Sequence, residues 1–271
     1  LVAAVASEQF IAPIALEDHL GRAVKLGGEQ VQRYIGGVRE WLVMRFDEAL
    51  HDARKVVDAD AQLLVVGGEM PREFEACGVP VSERGARVNE ALPIIRRLLS
   101  GETVSATGRF NTLNGVVLQP RAVQQPLPIW VSGRQDAAMR RAARFGDGWM
   151  PYMYTPEMLA DSIVKIRAWS AEAGRAADAV LPSLFAFTAC HPDRAHALAM
   201  ATAKLGAQYA QDFSKIAGKY VIVGTPEDCR ARIRQYVDAG ASTLFLSSAC
   251  PAEYADDNEA LIAREVLPAF R

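Results

Sequence analysis

Short β-rich runs alternate with longer amphipathic segments along the chain, and this alternation limits the possible folds more than any other feature of the sequence. The runs are Phe10 to Leu16, Val31 to Val38, Leu63 to Gly67, Pro128 to Ser132, Gly148 to Tyr152, Leu184 to Ala189 and Thr243 to Ser248. Between them lie helical patterns such as "RVNEALPIIRRLL" from Arg87 to Leu99, with apolar residues on one face and charges opposite. Repeated strand–helix units of this kind predict a parallel sheet built from βα repeats.

The punctuation agrees. "TPEMLADSIVKIRAWSAEAG" and "TPEDCRARIRQYVDAG" both open on Thr-Pro-Glu, an N-cap followed by proline at the first helical position and an acid in the first turn, and both end at glycine. "DAAMRRAARFG" reads as a helix closed by a glycine cap at Gly146. In "RFGDGWMPYM", from Arg144, that helix end passes through Gly146–Asp147–Gly148 into an apolar strand, with Asp147 bracing the turn and Tyr152 at the strand's far end.

At 271 residues, the chain suits one large α/β barrel, and a single domain over 1–271 is expected. Seven strands are one short of eight. Because "LVAAVASEQF" reads as a helix, the first strand is expected before residue 1. The stretch from Met70 to Pro128 exceeds a simple βα connection and carries turns at "SATGRF" and "LNGVVLQPRAVQQP", so it reads as a helix plus an extended insertion on the barrel rim.

A formal charge of −2 gives no general attraction to nucleic acid or anionic lipid. No apolar run approaches the roughly 20 residues that span a bilayer, and Leu1 to Ala6 is short for a signal-peptide core. A cytoplasmic protein acting on a small molecule is expected, without nucleic-acid or membrane partners. Cys77, Cys190, Cys229 and Cys250 form no CxxC pair, and His191 and His196 read as the solvated start of a helix, so no metal site is expected.

In a (β/α)8 barrel the active site lies at the carboxyl ends of the strands, and the residues there are the candidates. His19, after the first visible strand, could move a proton, or could simply be solvated beside a capping Asp18. Gly67 and Gly68 would let a flat ligand approach the backbone; Glu69 after them is either a proton-transfer group or an acid at a helix start. Ser132, Gly133 and Arg134 precede a helix, where free amides and a guanidinium could hold a phosphate. Glycines at several strand ends, flanked by an acid and a histidine, suggest redox chemistry on a bound planar cofactor.

These residues resemble the luciferase-like flavin and deazaflavin oxidoreductases, which are (β/α)8 barrels. The resemblance is carried by "LLVVGGEMPREFEACGVPVSERGARVNEALPIIRRLLSGETVSATGRF", by "PIWVSGRQDAAMRRAARFGDGWMPY" and by "VGTPEDCRARIRQYVDAGASTLFL". "EDHL" looks like the family's Asp-His at the second strand end, and "YIGGV" like its third strand, where a bulge backing the cofactor ring falls at Gly37 and Val38. The resemblance implies that His19 lies at the ring edge, Gly67 and Gly68 under the ring, and Glu69 near its reactive carbon. It also implies that Ser132, Gly133 and Arg134 lie at the cofactor phosphate. Glutamate at position 69, where many flavin-using members have tryptophan, tilts the implied cofactor toward coenzyme F420, with FMN as the alternative.

The function so implied is hydride transfer between F420 and a small organic substrate, with His19 or Glu69 managing the proton. The alternatives are an FMN-dependent monooxygenase of a two-component type and a non-catalytic flavin-binding homologue. The resemblance also implies a homodimer. Substrate choice is expected in the rim insertion from Gly101 to Gln125 and the stretch from Gln208 to Tyr220.

Overall fold

A computed structural model describes residues 2–6, 35–36, 63–66, 74–75, 77–119, 122 and 124–270. In chain order the strands are β1 (Val2–Ala6), β2 (Ile35–Gly36), β3 (Leu63–Val66), β4 (Val104–Thr107), β5 (Thr112–Val116), β6 (Ile129–Ser132), β7 (Gly148–Met150), β8 (Leu181–Cys190), β9 (Ile222–Gly224) and β10 (Thr243–Ser248). The helices are α1 (Arg84–Leu99), α2 (Asp136–Phe145), α3 (Pro156–Glu172), α4 (Arg194–Tyr209), α5 (Ala217–Tyr220), α6 (Pro226–Asp238) and α7 (Ala252–Leu261). The chain divides into two compact units.

The first unit holds β1, β8, β9 and β10. Its strands are all parallel: β1 pairs with β10, β10 with β8 and β8 with β9. Alternate residues of β8 face opposite ways. Phe187 and Ala189 pack with Met200, Leu205, Phe213 and Ala217 of the α4–α5 segment. On the other register, the Cys190 amide donates to Asn258 Oδ1 of α7 at 2.7 Å. Both faces are therefore covered, as in parallel sheets generally.

The second unit holds β2, β3, β6 and β7, again parallel, with β2 on β3, β3 on β6 and β6 on β7. Asp147, in the turn before β7, ties this unit together. Its backbone N–H donates to the Ile129 carbonyl at 2.7 Å, and its carboxylate accepts from the Ile129 N–H at 2.9 Å and from Arg96 Nη2 of α1 at 2.8 Å. The side chain thus joins a strand start to a neighbouring helix end, a wider role than bracing its own turn.

Several elements depart from the sequence reading. Val2–Ala6 is a strand, not the start of a helix, so a strand parallel to the last one stands at the N-terminal end, where none was expected inside the chain. A run of Val and Ala satisfies either state, and pairing with β10 decides it. Ile222–Gly224 forms a further strand too short to stand out against the polar residues around it. Gly146 closes α2 in an extended conformation, not a left-handed one. Its value is room: a Cβ there would lie 3.1 Å from the carbonyl oxygens of Ala142 and Gly148 and from Val131 Cγ2.

The rim insertion contains the antiparallel hairpin β4–β5, and its turn falls within "SATGRF" as expected. "LNGV", read as a turn, belongs to β5 instead, with Gly115 at φ +63 beside a register shift. Both Thr-Pro-Glu segments start helices, and Thr225 and Asp228 complete a capping box on α6. Among the described residues, no helix is long and apolar enough to cross a membrane.

Candidate functional site

In the second unit, the sequence-expected clusters follow strands that end at one level. Gly36 pairs with Val66, Val65 with Val131 and Ser132 with Met150, so β2, β3, β6 and β7 run out together at their carboxyl ends. In sequence, Gly37 and Val38 follow β2, and Gly67, Gly68 and Glu69 follow β3. These five residues, and His19, lie outside the described residues.

Ser132, Gly133 and Arg134 are described, and they form the link from β6 to α2. Ser132 and Gly133 are half-buried and Arg134 is exposed. Gly133 sits at φ +125, and a Cβ on it would lie 2.6 Å from the Ala138 Cβ in the first turn of α2. Glycine lets the backbone cross the helix start at this distance; a side chain would push it away. The Gly133 carbonyl is held by the indole of the fully buried Trp149, whose Nε1 donates at 2.8 Å. Because the peptide is planar and trans, the Arg134 N–H faces away from that indole.

No side chain caps α2: the Gln135 carbonyl accepts from Ala138 and Met139, while its amide group makes no capping bond. Asp136 is engaged by Lys165 Nζ at 3.3 Å. The link therefore combines a helix N-terminus, a backbone without a Cβ and an arginine, the elements that hold a phosphate group.

In the first unit, Tyr152 is half-buried and forms an isolated parallel bridge with Phe185 of β8. The next residue, Met153, has φ +50, a left-handed conformation rare for a side chain of this size. Met153, like Phe185, Tyr209 and Ile216, packs against the buried cluster that contains Phe187 and Phe213. Phe185 meets Phe187 edge-on at 5.3 Å, and Tyr209 stacks on Phe213 at 5.7 Å, so part of the stretch expected to choose the substrate packs into the core of the first unit. Sequence reasoning missed Met153, since nothing in "PYMY" signals a positive φ.

The carboxyl ends of β8 and β10 are fixed by a buried polar group: Asn258, fully buried, accepts from the Cys190 amide and donates to Ser248 Oγ at 3.2 Å. Tyr254 donates to the Cys190 carbonyl at 3.2 Å, and burial raises its phenol above the ordinary value. His191 and His196 stand at a helix start as expected. Asp193 caps α4 by accepting from the amides of Ala195 and His196, and its own N–H donates to His191 Nδ1 at 2.9 Å.

The sequence profile described as luciferase-like monooxygenase matches residues 61–243, more than half of the chain. Among curated proteins, uncharacterized proteins of Mycobacterium bovis and Mycobacterium tuberculosis are 39% identical over 105 residues. That stretch spans 39% of this chain and 36% of the relatives' own length.

Among solved structures, the coenzyme F420 dependent tetrahydromethanopterin reductase from Methanopyrus kandleri is similar at TM-score 0.66 and 15% identity, over 89% of this chain and 84% of that one. An F420-dependent secondary alcohol dehydrogenase, in complex with an F420-acetone adduct, is similar at TM-score 0.69 and 19% identity, over 82% and 75% of the two chains. The monooxygenase RslO1 from Streptomyces bottropensis is similar at TM-score 0.68 and 24% identity, over 90% and 79%. These structures share the luciferase-like (β/α)8 fold with this chain, whose parallel strands and intervening helices are those of that class. The chain belongs to the luciferase-like monooxygenase family.

Proposed function

We propose that the protein is an oxidoreductase that transfers hydride between coenzyme F420 and a small organic substrate. The observation that carries the reading is the Ser132–Gly133–Arg134 link: an uncapped helix start, a glycine whose Cβ would collide with Ala138, and a guanidinium at the end of β6. These features fit a phosphate group, which F420 carries as a diester and FMN as a monoester. Two of the similar structures are of proteins named as F420-dependent, and this supports the choice of deazaflavin.

When bound, the deazaflavin would accept or donate the hydride. The chain's own residues have the remaining tasks. The Ser132 hydroxyl, the amides at the start of α2 and Arg134 would hold the phosphate, and Gly37, Val38, Gly67 and Gly68 would leave room for the ring. Tyr152 would border the ring from the end of β7. His19 and Glu69 would hold and move the proton that accompanies hydride at the substrate oxygen or carbon. We place the whole chain, 1–271, in one such domain, acting in the cytoplasm as a homodimer.

The second reading, an FMN-dependent monooxygenase, is favoured by the likeness to RslO1. Fluorescence titration of the purified protein with F420 and with FMN separates the two. Saturable quenching with F420 and none with FMN is expected, and tight FMN binding without F420 binding would overturn the proposal. His19→Ala and Glu69→Gln are expected to bind F420 normally and to lose turnover. Full activity in both variants would remove these side chains from the proton transfer.

A further inference from the structure

The start of α1 holds more positive charge than its neighbours neutralise. Arg141 of α2 is 9% exposed. Its Nε donates to Asn89 Oδ1 at 2.6 Å and its Nη2 to the Gly85 carbonyl at 3.2 Å. Both acceptors are uncharged, and among the described residues no carboxylate pairs with Arg141 and its Nη1 makes no hydrogen bond.

Two acids among the described residues near the turn, Glu83 and Glu90, are already engaged. Glu83 pairs with Arg87 at 2.8 Å and with Arg109 at 2.9 Å, and Glu90 accepts from the amides of Arg109, Phe110 and Asn111. Arg84 donates to the Val81 carbonyl at 3.1 Å and adds a second cation. Burial lowers the Arg141 guanidinium from its ordinary value, and repulsion from Arg84 lowers it further. The first turn of α1 contains no acid, and its N-cap, Glu83, makes no capping bond because its carboxylate is held by Arg87 and Arg109.

A buried guanidinium held only by neutral groups is costly, and a counter-anion relieves that cost. We propose that Arg141, with Arg84 and the start of α1, forms an oxyanion subsite that takes a phosphate or carboxylate group. Asn89 keeps the subsite vacant of internal charge: its amide orients Arg141 as a carboxylate would, without neutralising it. The oxyanion comes either from free phosphate or from the acidic tail of the cofactor. Only the second source rests on the deazaflavin reading.

Asn89→Asp tests the subsite, because it supplies the missing charge from within and is expected to fold. With the Ser132–Gly133–Arg134 link weakened by Arg134→Ala in every protein compared, inorganic phosphate should raise the melting temperature of the protein with wild-type Asn89 above that in chloride at equal ionic strength. In Asn89→Asp, the affinity for phosphate should fall about tenfold, the loss expected when a charge-assisted hydrogen bond is no longer available to the ligand. The same variant should melt no lower than the protein with wild-type Asn89 in chloride. An equal response to phosphate in both proteins, or none with wild-type Asn89, overturns the proposal.

Titration with F420 bearing its oligoglutamate tail, and with the phospholactyl deazaflavin that lacks glutamates, identifies the source. An Asn89→Asp defect confined to the tailed form assigns the subsite to the tail. A defect seen with phosphate alone assigns it to the free ion. Because the phosphate measurement needs no deazaflavin, the subsite can fail without touching the proposed reaction, and the reverse also holds.

Discussion

At the scale of single residues, Gly133 is the most constrained position in the described part of the site. The sequence places it after a strand and before a helix, which is enough to suspect a phosphate link. It does not reveal φ +125 or the close approach to Ala138, because both depend on how α2 packs over β6. Gly133→Ala should lower stability by about 1–3 kcal/mol, the usual range for a side chain forced into a sparsely populated backbone conformation. The variant should also weaken the binding of phosphate-bearing flavins by more than its stability loss explains. Urea unfolding and F420 titration of the folded variant measure the two effects, and unchanged stability with unchanged binding would contradict the constraint. Arg141 makes the converse point. Its charge is plain in the sequence, but that no carboxylate pairs with it among the described residues is a property of three-dimensional packing alone.

At the scale of elements, the rim hairpin β4–β5 is pinned to α1 through one side chain. Glu90 accepts from the N–H groups of Arg109, Phe110 and Asn111 and from Asn111 Nδ2 at 2.9 Å, while Phe110 lies between the guanidinium groups of Arg87 and Arg109. Burial pushes the Glu90 carboxyl up, but these hydrogen bonds outweigh it and hold the group below its ordinary value of 4.5.

A depressed carboxylate stabilises the fold fully above the unfolded value, and this contribution drains away as pH falls through the folded value. Glu90→Gln should therefore be less stable than wild type near neutral pH, and the gap should close in acid, below the ordinary carboxylate range. Thermal melts of the two proteins across that interval test it, and a gap independent of pH would show that the carboxylate charge is not what holds the hairpin. The sequence signalled an insertion with a turn at "SATGRF" but not its anchor, since Glu90 also reads as an ordinary exposed position of an amphipathic helix. The helix starts were more legible. Thr225 caps α6 as the local Thr-Pro-Glu pattern predicts, and Asp228 adds the reciprocal bond of a capping box that the pattern did not name.

At the scale of the whole molecule, the parallel βα order was legible because it rests on repeated local patterns. The N-terminal strand was not, because Val2–Ala6 acquires its state from pairing with β10, far away in sequence. The same long-range pairing bears on whether the two compact units are separate domains. Their division cuts α3 between Val164 and Lys165 and passes from Met150 to Pro151 directly after β7. The cut inside α3 breaks a continuous helix, which is not the irregular linker that joins independently folding domains.

We therefore expect the units to unfold together. The described tryptophans, Trp130, Trp149 and Trp169, all fall in the second unit, whereas α4, α6 and α7 fall in the first. Tryptophan fluorescence thus follows the second unit, and far-UV circular dichroism follows helices of both. In a single cooperative transition the two signals coincide at every urea concentration. Separate midpoints would make the units distinct folding domains and would break the single-domain reading of the chain, even with the family assignment intact.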